Sequence, residues 1–179
     1  MLKNPYSQIS ISLCQTILGT PLGQMIAVAN DEFLYLLEFE DQKGLSRQLQ
    51  QIEKRFKKKI LSAETFPIES IRSELDQYFR GTLQTFQTPI FWLGTPFQDR
   101  VWKELQKIPF GQTRSYSDLA SCIQHPTAQR AVARANSTNP LAIIVPCHRV
   151  IEKGGGLGGY AGGINRKEQL LRHESEYLS

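Results

Sequence analysis

SYSDLASCIQHPTAQRAVARAN, residues 115–136, is the stretch that decides the fold of its half of the chain. Ser115-Tyr116-Ser117-Asp118 places a hydroxyl at a helix N-cap and a carboxylate three residues later. In that pattern each side chain satisfies a backbone N–H that the first helical turn leaves free. This capping box predicts a short helix running to about Ile123. Gln124-His125-Pro126 must then turn, because proline lacks an N–H and restricts the residue before it. Thr127 is placed to cap a second helix through Asn136. Two short helices joined by a tight turn give a helix-turn-helix outline, which any αα-hairpin shares.

Upstream, Thr95-Pro96-Phe97-Gln98 is a second capping box with proline at the first helical position. Phe97, Val101, Leu105 and Ile108 form the apolar face of that helix, and Pro109 with Gly111 ends it. Downstream, Leu141-Ala142-Ile143-Ile144-Val145 is an unbroken apolar run that fits a buried strand, stopped by Pro146 with Cys147-His148-Arg149 at its mouth. Seven of the 13 glycines then fall within residues 154–163, a loop whose backbone can approach another molecule closely. Asn165-Arg166-Lys167-Glu168 is expected to cap a last helix carrying His173 and Glu174.

The first half reads as strands followed by helices. Residues 24–29 and 33–39 are apolar, β-rich runs separated by Asn30-Asp31-Glu32, a hairpin signal. Leu45, Leu49, Ile52 and Phe56 mark one face of an amphipathic helix, with Lys57, Lys58 and Lys59 at a solvated end. Ile68, Ile71, Leu75 and Phe79 mark another, stopped by Gly81, and residues 82–89 read as a linker.

With 179 residues and 40% apolar content the chain can fill a core, which excludes simple disorder. No run approaches a membrane span, and residues 1–10 lack the order of a signal peptide, so a cytoplasmic protein is expected. Residues 1–91 balance ten Lys and Arg against ten Asp and Glu, whereas residues 92–179 hold eleven against seven. The net +4 thus resides in the second half, where it fits either a polyanion partner or ordinary solubility charge. Cys14, Cys122 and Cys147 are too few and scattered for a disulfide framework, and no CxxC pair points to zinc.

Cys147 is the candidate nucleophile, with His148 and Arg149 as polar and positive neighbours that favour a thiolate. Cys14 and Cys122 fit small buried hydrophobes. Adjacent residues of a strand face opposite ways, so any relay between Cys147 and His148 needs a water or a bend.

Val145-Pro146-Cys147-His148-Arg149-Val150 resembles the signature of the O6-alkylguanine-DNA alkyltransferases, the methylated-DNA–protein-cysteine methyltransferases. Gly94-Thr95-Pro96-Phe97-Gln98, Ile108-Pro109-Phe110-Gly111, Ser115-Tyr116, Arg130-Ala131-Val132, Asn139-Pro140, Gly159-Tyr160-Ala161-Gly162-Gly163 and Lys167 with Leu170-Leu171 resemble family landmarks in family order. Residues 1–91 resemble the family more weakly, through the hairpin and Tyr78-Phe79-Arg80-Gly81.

The resemblance implies an α+β fold. It comprises an N-terminal ribonuclease-H-like α/β domain over residues 1–91, a small antiparallel sheet with helices, and a C-terminal winged-helix-like helix-turn-helix domain over residues 92–179. It implies direct DNA repair, with one irreversible transfer of the alkyl group of O6-alkylguanine, and of O4-alkylthymine, to Cys147. His148 would act as base towards Cys147 through water, oriented by Glu174; Tyr116 would donate to the guanine; Asn139 would order the pocket. Pro146, Leu157, Gly158, Tyr160 and Ala161 would line that pocket. Arg130 would fill the space left by the extruded base, with Ser117, Ala131 and Arg134 also at the DNA. The implied partner is double-stranded DNA containing alkylated bases, bound through the minor groove by a monomer, with no cofactor and no membrane. Some family members hold a structural zinc in the N-terminal domain, but residues 1–91 offer Cys14 alone and no histidine, so no metal is expected. Two competing readings are a DNA-binding module that performs no transfer and a cysteine hydrolase that turns over.

Overall fold

In the computed structural model, which describes residues 12–178, the first element is a hairpin of β1 (Leu13–Thr20) and β2 (Gly23–Ala29). Residues 1–10, expected to lack a signal peptide, lie outside the described residues. Thr20 closes the turn: its Oγ1 donates to Gly23 O at 2.7 Å and accepts from Leu22 N at 3.2 Å. The expected second hairpin is present, β2 pairing antiparallel with β3 (Leu34–Phe39). Asn30 makes its turn, its Oδ1 accepting from the N–H groups of Glu32 at 2.9 Å and Phe33 at 2.6 Å. A fourth strand, β4 (Ile60–Ser62), runs parallel to β1, giving the order β3-β2-β1-β4 and a sheet that is antiparallel except at this edge. Neither β1 nor β4 stood out in the sequence, because β1 mixes adjacent buried residues, Leu13 and Cys14, with exposed Ile17.

Two helices cover the two faces of this sheet. α1 (Leu45–Phe56) packs Leu45 and Ile52 against Leu13, Val28, Tyr35 and Leu36. It ends at Lys57 in the left-handed conformation, and Lys57, Lys58 and Lys59 are exposed, with Lys59 paired to Glu53 at 3.0 Å. α2 (Phe66–Phe79) places Ile68, Ile71, Leu75 and Tyr78 on the opposite face, in a hydrophobic cluster that also holds Trp102, Leu105, Val145 and Leu170. Covered on both sides, β3 is buried along its whole length, which is why it reads as an unbroken apolar run. The expected linker is strapped down. Glu74 accepts from Gln87 N at 2.6 Å, Thr88 N at 3.1 Å and Thr88 Oγ1 at 2.7 Å, and Leu34 of β3 exchanges hydrogen bonds with Pro89 O and Phe91 N, each at 2.9 Å.

Both capping boxes form. Thr95 and Gln98 start α3 (Pro96–Leu105), and Ser115 and Asp118 start α4 (Tyr116–Cys122), with each side chain of a box bonded to the other residue's backbone N–H. A cap of this kind contributes about 1 kcal/mol. After α4 the chain turns at Gln124, whose φ is +62°, and His125 N donates to Ala120 O at 2.9 Å. α5 (Gln129–Ser137) starts one residue later than expected: Ala128, not Thr127, is its N-cap, and no side chain caps it. Trp102 Nε1 donates to Ala135 O at 2.9 Å and so pins α3 to α5. Two short strands, β5 (Arg114–Ser115) and β6 (Val150–Ile151), pair in parallel. The last helix, α6 (Ile164–Glu176), is capped by Gly163, and Asn165 lies inside it and not at its cap. Cys14 is buried as expected, but Cys122, at the end of α4, is exposed.

Residues 141–145 are buried but do not form the expected strand. Leu141 alone bridges to the sheet, Leu37 N donating to Pro140 O at 2.9 Å and Ala142 N to Leu37 O at 2.8 Å. The chain then coils on itself through Ile143, whose φ is +72°, and Val145 N donates to Leu141 O at 2.9 Å. Asn139 makes this possible: its amide donates to Leu141 O at 3.3 Å and Val145 O at 2.8 Å, and its Oδ1 accepts from Leu141 N at 3.1 Å. Polar backbone groups that a strand partner would have satisfied are met by one side chain. Among the described residues no helix is long and apolar enough to cross a membrane.

Candidate active site

Cys147 begins a 3-10 turn, Cys147–Arg149, at the exit of this coiled segment and is 5% exposed. Its carbonyl accepts from Asn136 Nδ2 of α5 at 3.2 Å, and its Sγ lies 3.1 Å from the same Asn139 Nδ2 that holds Val145. Burial pushes the thiol pKa up to about 12, beyond what the Asn139 donor and the Lys167 charge offset, with Glu38 adding to the rise. The expected help from Arg149 is missing, because its guanidinium is committed elsewhere. The resting side chain is therefore a thiol, and its activation needs a base.

An imidazole able to accept that proton is next to it in sequence and fully enclosed. His148 and Glu174 are both 0% exposed, and His148 Nε2 lies 2.8 Å from Glu174 Oε1. Sequence position alone would leave Glu174 on the surface near the C-terminus, whereas the fold surrounds it with donors. Arg149 Nη2 at 2.9 Å and Tyr78 Oη at 2.8 Å donate to Oε1; Arg149 Nε at 2.8 Å and Gly111 N at 3.0 Å donate to Oε2. Gly111 aims its N–H with φ +70°, a conformation that a side chain would strain. Burial would raise the Glu174 pKa, but the hydrogen bonds and charges of His148 and Arg149 outweigh it and hold the carboxyl well below its usual range. Burial lowers the His148 pKa despite the carboxylate, so the imidazole is neutral and Arg149 supplies the positive charge of the cluster. A neutral ring donating from Nε2 to a carboxylate leaves Nδ1 as an acceptor, and Nδ1 has no partner among the described residues. That atom is free to take a proton.

The expected pocket wall is the glycine loop. Glu152 N donates to Gly156 O at 2.8 Å and Gly163 N to Tyr160 O at 3.0 Å, closing its two ends. Gly158 fits under the ring of Tyr116, where a Cβ would come within 3.1 Å of Cε2, and Tyr116 Oη is 3.5 Å from Gly159 O. Tyr116 is half-buried at the start of α4. Pro146 is buried before Cys147, whereas Leu157, Tyr160 and Ala161 are half-buried. The Tyr160 hydroxyl is enclosed without a partner among the described residues, as is Oε2 of Glu38, which projects from β3.

Several contributors were given no site role by the sequence. Lys167, 0% exposed, donates to Val150 O and to Gly159 O, tying the loop to β6, and burial lowers its pKa to about 8. Its signal was present in spacing: Lys167, Leu170 and Glu174 are the buried residues of α6, so two charged side chains occupy its apolar stripe. Asn136 and Tyr78 carried no such signal.

α5 links the site to the surface. Its inner face carries Val132, Ala135 and Asn136, the last bonded to Cys147; its outer face exposes Arg130, Ala131 and Arg134. Neither arginine has a salt bridge among the described residues, and Ser117 on α4 shares a hydrogen bond of 2.7 Å with Ser115. No group of three His, Cys, Asp or Glu among the described residues could hold a metal ion.

Residues 96–176 match the family model described as 6-O-methylguanine DNA methyltransferase, DNA binding domain. The chain is 41% identical over 170 residues to the methylated-DNA–protein-cysteine methyltransferase of Shigella flexneri, covering 94% of this chain and 99% of that protein. It is 40% identical over 149 residues to the constitutive methylated-DNA–protein-cysteine methyltransferase of Bacillus subtilis, covering 82% of this chain and 86% of that one. The solved structure of Mycobacterium tuberculosis OGT in complex with DNA superposes with a TM-score of 0.80 at 37% identity, over 92% of this chain and 94% of the other. Full-length similarity of this degree, together with a buried cysteine followed directly in sequence by the histidine of a buried His–Glu pair, means that the chain belongs to the methylated-DNA–protein-cysteine methyltransferase family.

Proposed function

We propose that this protein repairs alkylated DNA directly, moving the alkyl group of O6-alkylguanine, and of O4-alkylthymine, onto Cys147. The observation that carries the reading is the enclosed His148–Glu174 pair, whose Nδ1 is unpartnered among the described residues, on the residue that follows the buried Cys147 in sequence. His148 Nδ1 takes the Sγ proton through a water, while Nε2–H remains on Glu174. The thiolate attacks the alkyl carbon, a carbon–sulfur bond forms, and the carbon–O6 bond breaks with its electron pair going to the guanine, which takes a proton from water and leaves neutral while His148 returns its own proton to water. Tyr116 donates a hydrogen bond to that departing guanine, and Asn139 holds the sulfur and the segment before it. A thioether has no route back to thiol, so each molecule acts once and needs no cofactor.

The same reading assigns residues 1–91 to a ribonuclease-H-like domain and residues 92–179 to a winged-helix-like DNA-binding domain. The small side chains of exposed Ala131 and half-buried Ala133 keep α5 slim, which supports docking in the minor groove of double-stranded DNA, about 6 Å wide where a helix with bulky side chains spans roughly 10–12 Å. Arg130 enters the stack when the alkylated base is extruded, Ser117, Ala131 and Arg134 contact the strand, and Pro146, Leu157, Gly158, Tyr160 and Ala161 enclose the base. The protein acts as a monomer in the cytoplasm. Intact-mass measurement after exposure to a duplex containing O6-methylguanine tests the reading. The expected product carries one methyl group, mapped to Cys147; a methyl group on Cys14 or Cys122, or many lesions removed per molecule, refutes it.

A further inference from the structure

Tyr78 has no part in alkyl transfer as set out above, yet it reaches the relay from the other half of the chain. It lies in the last turn of α2, is 0% exposed, and its hydroxyl donates to Glu174 Oε1 at 2.8 Å. That is the oxygen His148 Nε2 meets, also at 2.8 Å. The hydroxyl is aimed and not merely nearby. The Tyr78 carbonyl is held by His173 Nε2 at 2.8 Å, and its ring packs against Phe79, Phe86, Phe110 and His173. Burial and the adjacent Glu174 charge raise the Tyr78 pKa well above the usual phenol range, so the group stays a donor throughout the working pH range.

We propose that Tyr78 is a positioning residue for the His148–Glu174 pair, fixing Glu174 Oε1 against the imidazole and sharing the charge that this oxygen presents to it. The inference rests on His148 serving as the base for Cys147. An oxygen that already accepts from Tyr78 Oη and Arg149 Nη2 attracts an imidazolium less strongly than one with fewer donors. Tyr78 thereby helps keep His148 neutral, the state in which Nδ1 can accept a proton. The charged and titratable groups acting on His148 are Glu174 and Lys167 of α6 and Arg149 of its own turn, and Tyr78 acts through Glu174. Its role makes the chemistry of the C-terminal half depend on a residue of α2.

The test is Tyr78→Phe, which keeps the ring and removes only the donor. The rate of Cys147 alkylation by free O6-benzylguanine is measured between about pH 5 and 9, spanning the range in which histidine titrates. The pH of half-maximal rate on the acid side should rise by about half to one unit, because His148 protonates more readily beside a less satisfied carboxylate. Tyr78→3-fluorotyrosine, a stronger donor, should move it the other way. A purely structural role lowers the rate equally at every pH and leaves the midpoint in place, and that result, or a downward shift in Tyr78→Phe, overturns the inference. Wild-type protein that forms no Cys147 adduct would instead overturn the proposed function.

Discussion

Asn139 couples the fold to the chemistry closely enough that one substitution should register in both. Its side chain makes four contacts, to Leu141 O, Val145 O, Leu141 N and Cys147 Sγ. In Asn139→Ala the two carbonyls keep other donors, Val145 N to Leu141 O and Cys147 N to Val145 O, whereas Leu141 N, in a fully buried residue, loses its acceptor. One orphaned N–H costs about 1–3 kcal/mol, and each of the two lost bonds whose partner is satisfied elsewhere about 0.5–1.5 kcal/mol, so a loss of roughly 2–6 kcal/mol is expected. For a chain of this size that lowers Tm by roughly 4–24 °C. Calorimetry measures this directly. Loss of the donor at Sγ also leaves burial less opposed, so the Cys147 pKa should rise further and alkylation by O6-benzylguanine should slow at every pH. Asn139→Asp should be worse for chemistry than Asn139→Ala, since it sets a negative charge beside the developing thiolate. A Tm within a degree or two of wild type would show that the turn is held by its apolar packing. An unchanged alkylation rate would show that the amide does not act on the sulfur.

Cys147→Ser should abolish transfer while leaving DNA affinity within a few-fold, as read by adduct mass and a binding titration; transfer at the wild-type rate would refute Cys147 as acceptor. Arg130→Ala, on the exposed face of α5, should slow repair of duplex DNA far more than reaction with free O6-benzylguanine, because extrusion costs on the order of a few kcal/mol; equal slowing of both would assign Arg130 to the pocket or the fold. Glu38 is buried with its pKa raised from 4.5 to about 8, so folding favours its neutral form, and its contribution to stability falls as pH rises from about 4.5 to about 8 and levels off above. The Tm advantage of Glu38→Gln over wild type should therefore grow across that window, and a constant difference would show that Glu38 does not change its charge on folding.

Where signals were local, the sequence determined the structure. A capping box is complete within four residues, so Thr95–Gln98 and Ser115–Asp118 could be read without knowing what the helices touch. The hairpin turn at Asn30 and the apolar faces of α1 and α2 were legible for the same reason, and the Val145–Val150 motif singled out Cys147 and His148. Where a residue's role depends on partners remote in the chain, the tertiary structure alone decided it. Residues 141–145 read as a strand because a buried run looks the same in any conformation, and the difference was made by Leu37 and the Asn139 side chain. Cys122 matched the apolar pattern of α4 but lies exposed at its end. Glu174 has an ordinary surface sequence, and its burial became tolerable only when Arg149, Gly111 and Tyr78 converged on it from separate elements. The Cys147 thiol was expected to be favoured as thiolate by its neighbours in sequence, but desolvation by the assembled core prevailed. Sequence patterns record short-range hydrogen bonding and hydrophobic period, whereas burial and electrostatic balance sum over atoms that only the folded chain brings together.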